Sequence, residues 1–257
     1  MDDAMPVRSD LIVRAFAEKP GKVFLLYGDR SVFYISLQMA AHAMIGGRSI
    51  AVVDGCNRFD VHALSRFARI RKIDPNKFLR QIYISRGFTC YQMEQAIAAK
   101  LPAFLTRIHS NTALIFGLLD TFYDEQASLR EVQHILRRLL VSFGEMRAAG
   151  KSLLLVCQDR TVEPKERNQL FATLKSGVDR VYKLSANNNG IPQVYLEAQG
   201  KSASLPSAAP HPPLSLSQGD TPHGTNRTNL HQSDRCGSSK LVQVPARTPQ
   251  SRSGNVR

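Results

Sequence analysis

Five short stretches hold most of the residues in this chain that could do chemistry, and each follows an apolar run. They are Gly28 onward, Asp54–Phe59, Ser85–Phe88, Asp120–Tyr123 and Gln158–Arg160. A glycine between an apolar run and a helix lets backbone N–H groups wrap a phosphate. A carboxylate such as Asp120 can hold a cation, cap a loop or pair with a neighbouring arginine. Aromatic and basic side chains close together, here Phe122 and Tyr123 with Arg160, Lys165 and Arg167, can stack on and steer a single nucleic-acid strand. Asp124, Glu125, Glu163 and Glu166 oppose that use.

Other chemistries lack their spacing. Cys56, Cys90, Cys157 and Cys236 are scattered without a CxxC, and His42, His62, His109 and His134 share no ligand interval. No metal site is expected from them. There is no GxSxG turn and no Ser-His-Asp order.

The stretches need a scaffold, and the pattern supplies one. KVFLLYG (22–28), SIAVVDG (49–55), QIYISRG (81–87), TALIFGLLD (112–120) and KSLLLVCQ (151–158) read as strands covered on both faces. Amphipathic helices alternate with them over 31–45 and 60–72, and from near Thr89. Leu129, Val132, Leu136, Leu139, Phe143 and Met146 make the clearest apolar stripe, which Gly150 closes. A polar helical piece covers 163–175. VDRVYKLS (178–185) and PQVYLEA (192–198) then read as a hairpin across Asn-Asn-Asn-Gly. The expected fold class is α/β, a mostly parallel doubly wound sheet with an antiparallel C-terminal edge hairpin. Ligands in such sheets sit outside the carboxyl ends of the strands, where the five stretches fall.

Composition divides the chain of 257 residues. Lys and Arg number 34 against 21 Asp and Glu, a net charge of +13. Residues 201–257 hold 7 of the basic and 2 of the acidic residues, 7 of the 13 prolines and no Phe or Tyr. So little apolar surface cannot offset an ordering entropy of about 1–2 kcal/mol per residue. The expected domains are a folded core over 1–200 and a disordered basic tail over 201–257. No apolar run approaches the ~18 residues of a membrane span, and the N-terminus is too polar for a secretory signal. A reduced, cytoplasmic setting is expected, with no membrane partner.

In order and spacing the core resembles the ATPase core of the RecA/RadA recombinases, over roughly residues 10–198. The matching strings are LLYG, VVDGCNRFD, IDPNKFLRQIYISRGFTCYQMEQAI, LLD, VCQD and the SGVDRVYKLS–QVYLE hairpin. The resemblance implies a P-loop NTPase fold with ATP and magnesium, and it carries Gly28, Ser36, Asp120 and Gln158 over as nucleotide-site positions. The catalytic pieces depart from the family pattern. In register with Gly28, the second phosphate-loop glycine falls on Phe33, the lysine on Tyr34 and the magnesium hydroxyl on Ile35. The water-activating glutamate falls on Cys56. Asp120 keeps the magnesium-associated acid, and Gln158 stands where the family senses the γ-phosphate. Arg160, Lys165 and Arg167 lie in the second of the family's DNA-contact loops.

The expectation is therefore a degenerate recombinase-like protein without ATP hydrolysis, with no cofactor required, serving as a DNA repair or recombination accessory or interaction module. Its partner is DNA, bound non-specifically and salt-sensitively, or a protein; self-association is open. Two alternatives stand beside it. One is a regulatory protein-binding module with no nucleic-acid role, and the other is a nucleotide-dependent DNA-binding ATPase with an atypical phosphate loop.

Overall fold

Three adjacent strands set the architecture. Leu25 and Leu26 in β2 (Val23–Gly28), Leu114 and Ile115 in β5 (Thr112–Phe116), and Leu154 and Leu155 in β6 (Ser152–Gln158) are all fully buried. Neighbouring residues of one strand point to opposite faces, so both faces of this sheet are apolar and both need cover. The computed structural model describes residues 20–187 except 46 and 125, residues 192–197, and the backbone of 5–7 and 242–243.

The other strands are β1 (Met5–Val7), β3 (Ile50–Asp54), β4 (Ile82–Arg86), β7 (Arg180–Ala186), β8 (Pro192–Glu197) and β9 (Val242–Gln243). The sheet order is β1-β8-β7-β2-β6-β5-β3-β4-β9. From β7 to β4 every neighbouring pair is parallel. β8 is antiparallel to β7 and to β1, and β9 to β4. The expected α/β class and mostly parallel sheet are present. The late hairpin is not the outermost pair, because β1 lies beyond it.

Helices α1 (Ser31–Met44), α2 (Val61–Ile70) and α3 (Pro75–Leu79) cover one face. Phe33, Leu37, Met44, Leu64, Ala68 and Phe78 pack there on Phe24, Leu26, Val52, Leu114, Phe116 and Leu154. The other face carries α4 (Cys90–Glu94), a π-helical turn (Gln95–Lys100), α5 (Leu101–Arg107), α6 (Leu129–Ala148) and α7 (Gln169–Ser176). The π turn lies where Pro102 removes an N–H from the helical ladder. Met93, Ile97, Leu136, Leu139, Phe143 and Leu170 pack there on Leu25, Val53, Ile115 and Leu155. Caps start the helices as their sequences indicate: Asp60, Asp74, Thr89 and Ser128 each accept a backbone N–H from the first turn of α2, α3, α4 and α6. No helix among the described residues is long and apolar enough to cross a membrane.

Further features depart from the sequence reading. The run 112–120 is not one strand: it stops at Phe116, Gly117 turns left-handed (φ +59°), and a 3-10 turn spans Leu118–Thr121. The short helix α3 had no sequence signal assigned to it. The expected tail over 201–257 lies outside the described residues except at β9, and that strand joins the sheet. The Asn-Asn-Asn-Gly turn lies largely outside them too.

The stripe on α6 gives a check on the packing. Phe143 is fully buried and Val141 is 59% exposed on the same helix. Phe143→Ala is expected to cost about 3–5 kcal/mol and Val141→Ala less than about 0.5 kcal/mol. Urea unfolding of the two variants measures both, and equal losses would mean the helix is rotated.

Candidate functional site at the carboxyl rim

The loops after β2 and β3 lead to helices on one face, and those after β5 and β6 lead to the other. Since β2 neighbours β6 and β3 neighbours β5, adjacent chains part company at the rim. A crevice opens there in doubly wound sheets. In this chain backbone hydrogen bonds join the two sides: the Gly55 N–H meets the Phe116 carbonyl at 2.8 Å and the Asp159 N–H meets the Gly28 carbonyl at 2.6 Å.

The first wall is the turn from β2 to α1. β2 ends at Gly28 and α1 starts at Ser31, so Asp29 and Arg30 make the whole turn. The Asp29 carboxylate accepts the Ser31 N–H at 2.8 Å and the Ser31 hydroxyl at 2.5 Å. A negative group thus already occupies the helix N-terminus, where the dipole and open N–H groups would favour a phosphate. Gly28 has a packing reason to lack a side chain, since a Cβ there would lie 2.5 Å from the Leu184 carbonyl oxygen. Ser36 is fully buried and donates to the Phe33 carbonyl at 2.8 Å. Tyr34 faces solvent and Phe33 stacks edge-on against Phe116.

The second wall follows β3. Asp54 is 1% exposed. One of its oxygens accepts the N–H of Cys56 (3.1 Å) and of Arg58 (3.2 Å), and the other that of Phe59 (3.0 Å). These bonds fold the 54–59 loop, and they let Asn57 hold φ +55°, a region Asn tolerates. Gly55 ties the loop to β5 through the Phe116 carbonyl (2.8 Å). Gly117 must be glycine, because its left-handed backbone faces Cys56: a Cβ would sit 2.5 Å from that sulfur.

Asp120 stands on the other side, in the 3-10 turn after β5. Its carboxylate meets Arg160 at 2.8 Å, and the Arg160 guanidinium lies 5.3 Å from the centre of the Tyr123 ring. Burial raises the Asp120 carboxyl above the usual range, against the pull of Arg160 and Arg58; Asp54 adds to the rise. Burial and the carboxylates of Asp54 and Asp120 push the Cys56 thiol far up, so it stays protonated and cannot serve as a general base. Cys157, wholly enclosed at the end of β6, is pushed up to about 12, by burial first and then by Asp120.

The expected site residues therefore separate. Gly28 and Gln158 are direct neighbours across β2 and β6, and Asp120 and Arg160 are paired. Ser36 is apart from them, within the buried side of α1. Lys165 is exposed. Arg167 does not fit a nucleic-acid contact: it is 4% exposed and donates to the carbonyls of Phe122 and Ala127, both at 2.6 Å. Phe122 does not fit stacking either, being fully buried, and Tyr123 is half-covered. Sequence reasoning missed Asp54 as the clamp of its loop and Asp29 as the occupant of the helix start. The signals were an acid two residues before the Ser at a helix start and an acid heading a Gly-Cys-Asn turn.

ATP with magnesium does not fit these residues. A two-residue turn has no backbone to wrap phosphates, Asp29 would repel them, and the acid suited to a cation is engaged by Arg160. Among the described residues no three His, Cys, Asp or Glu side chains are grouped so as to hold a metal ion. No family model matches the chain, and no curated protein matches it.

Asp120 offers a pH test. An acid whose folded pKa is raised holds its proton longer in the native state, so its contribution to stability declines as pH rises from the unfolded pKa through the folded one. Asp120→Asn cannot ionise and should flatten that part of the profile, from about pH 4 upward. Urea midpoints across pH 3.5–7 read this out; parallel profiles for the variant and the parent would show that Asp120 does not titrate as stated.

Proposed function

We propose that this chain is a recombinase-like binding module that does not turn over ATP, acting as an accessory or interaction protein in DNA repair or recombination. One observation carries the first half: the two-residue turn after β2, with the Asp29 carboxylate seated on the N-terminus of α1. The protonated Cys56 and the Asp120–Arg160 pair support the same reading. Phosphoryl transfer is almost wholly positioning and charge stabilisation, and the turn after β2 sets the Asp29 carboxylate at the helix start where a γ-phosphate would need a lysine and open N–H groups. The second half rests on the ordered strings that resemble the recombinases and on charge.

That charge lies away from the expected loops. Arg66, Arg69, Arg71, Lys72, Lys77 and Arg80 are all exposed along α2, the turn after it and α3, with Asp74 as the one acid between Val61 and Leu79. Arg71 also lies against the Phe67 ring and His42. A run of cations on a helix outer face attracts phosphates without reading bases. It supports DNA over a protein partner more strongly than the rim does, since Arg167 and Arg160 are engaged within the fold.

Two measurements test the reading. The full chain with ATP and magnesium should release no phosphate above a no-enzyme control, and fluorescent ATP should not bind. Magnesium-dependent release that Asp120→Ala abolishes would sink the proposal.

Anisotropy with a labelled single-stranded oligonucleotide should show affinity falling with salt, at a log–log slope near −0.7 for each phosphate neutralised. Replacing Arg66, Arg69 and Lys72 with Ala should bring the slope about 2 closer to zero while leaving far-UV circular dichroism unchanged. Absence of binding at any salt would favour the protein-binding module.

A further inference from the structure

The far side of the sheet ends on β4, and the strand laid against it comes from a distant part of the chain. β9 pairs antiparallel with β4, Val242 opposite Ile84 and Gln243 opposite Tyr83. The sequence explains the choice of segment. Leu241-Val242-Gln243-Val244 is the one place in residues 201–257 where two β-branched apolar residues fall within three positions. Gly237-Ser238-Ser239 precedes it and Pro245 ends it, the bounds of a short strand.

β4 needs that cover. Its sequence, IYISR, holds no Pro or Lys and bears only Arg86, at its end, as a charge. Without a partner, its outward N–H and C=O groups form a template for any passing strand. Yet β9 contributes only two residue pairs, too few to hold by its own hydrogen bonds, since each gains only about 0.5–1.5 kcal/mol net. Its attachment to the same chain is what favours it.

The length of that attachment leaves a choice. Between Glu197 and Val242 lie 44 residues, and fully extended they reach about 150 Å. Seven strand spacings from β8 to β9 cover only about 34 Å. The same length reaches the β4 edge of another copy, where the segment would make the identical pairs.

We propose that the β4 edge is a docking edge for the segment around Val242–Gln243, and that a second copy of this chain supplies that segment when chains are concentrated. Exchange of the strand then joins two copies. No contact is new, so the balance rests on chain concentration against the effective concentration of the tethered strand, on the order of mM.

Light scattering on the full chain from about 10 μM to about 5 mM, an interval that runs from below that effective concentration to above it, tests this. The expected result is an average mass that climbs toward twice the single-chain value. An excess of a synthetic peptide of residues 238–247 should return it to the single-chain value. The double variant Val242→Pro, Gln243→Pro removes both N–H donors of β9. It should keep the single-chain mass throughout, and amides of residues 82–86 should exchange with deuterium at least tenfold faster than in the parent. The proposal is overturned by a parent that stays single, by association as strong in the double variant, by association that the peptide leaves intact, or by unchanged exchange in β4.

Discussion

Everything in this molecule follows from a sheet that is apolar on both sides at its centre. With Leu25 and Leu26, Leu114 and Ile115, and Leu154 and Leu155 all shut off from water, neither face can be left to solvent. Full burial of each such side chain is worth about 1.5–3 kcal/mol, so leaving one face open would forfeit much of the driving force. The chain meets this by placing α1–α3 on one face and α4–α7 on the other. To do so it must send neighbouring strands to opposite faces at the rim. The crevice is a by-product of covering the core, and side chains of the chain's own hold the loops that edge it.

The closing groups are of two kinds. Asp29 and Asp54 turn carboxylates onto the backbone N–H groups of the loops they start, which holds those loops without any ligand. Asp120 and Arg160, in the adjacent loops after β5 and β6, neutralise each other, with Tyr123 lying under the guanidinium. The acid is half-enclosed, and its carboxyl is held above the usual range despite that partner. Desolvation therefore exceeds attraction at this position, as is common for ion pairs drawn away from water.

The sequence was legible where one signal dominated. Runs such as FLLY (24–27) and LLLVC (153–157) are apolar throughout, and α6 has an unbroken stripe, so their places were readable from period and length alone. Gly117 was not, because the run TALIFGLLD is uniformly apolar, and only a close approach to the Cys56 sulfur shows why the backbone turns there. Arg167 was read as a surface cation from its basic, polar surroundings. Its burial depends on two carbonyls some forty residues away, which no local pattern carries. At the site itself, the substitutions at Tyr34, Ile35 and Cys56 were visible in the residues. The two-residue turn was readable as well, since the apolar run ends at Gly28 and the helical pattern starts at 31; that Asp29 would turn its carboxylate onto Ser31 was not, because one acid beside a serine fits many turns. β9 was hidden by its surroundings, four strand-forming residues within a long polar stretch.

Arg167 has a mechanical consequence. Its guanidinium belongs to the segment after β6, while the carbonyls it grips belong to the loop after β5. Pulling either loop outward would strip a buried cation of both partners at once, so the two loops share one opening equilibrium and behave as a single plate. A visitor that pried at one would have to lift the other. The side of the rim lined by these loops is thus stiff in the sense that counts for recognition: it can be bound as it stands, but it does not mould itself piecemeal around a guest.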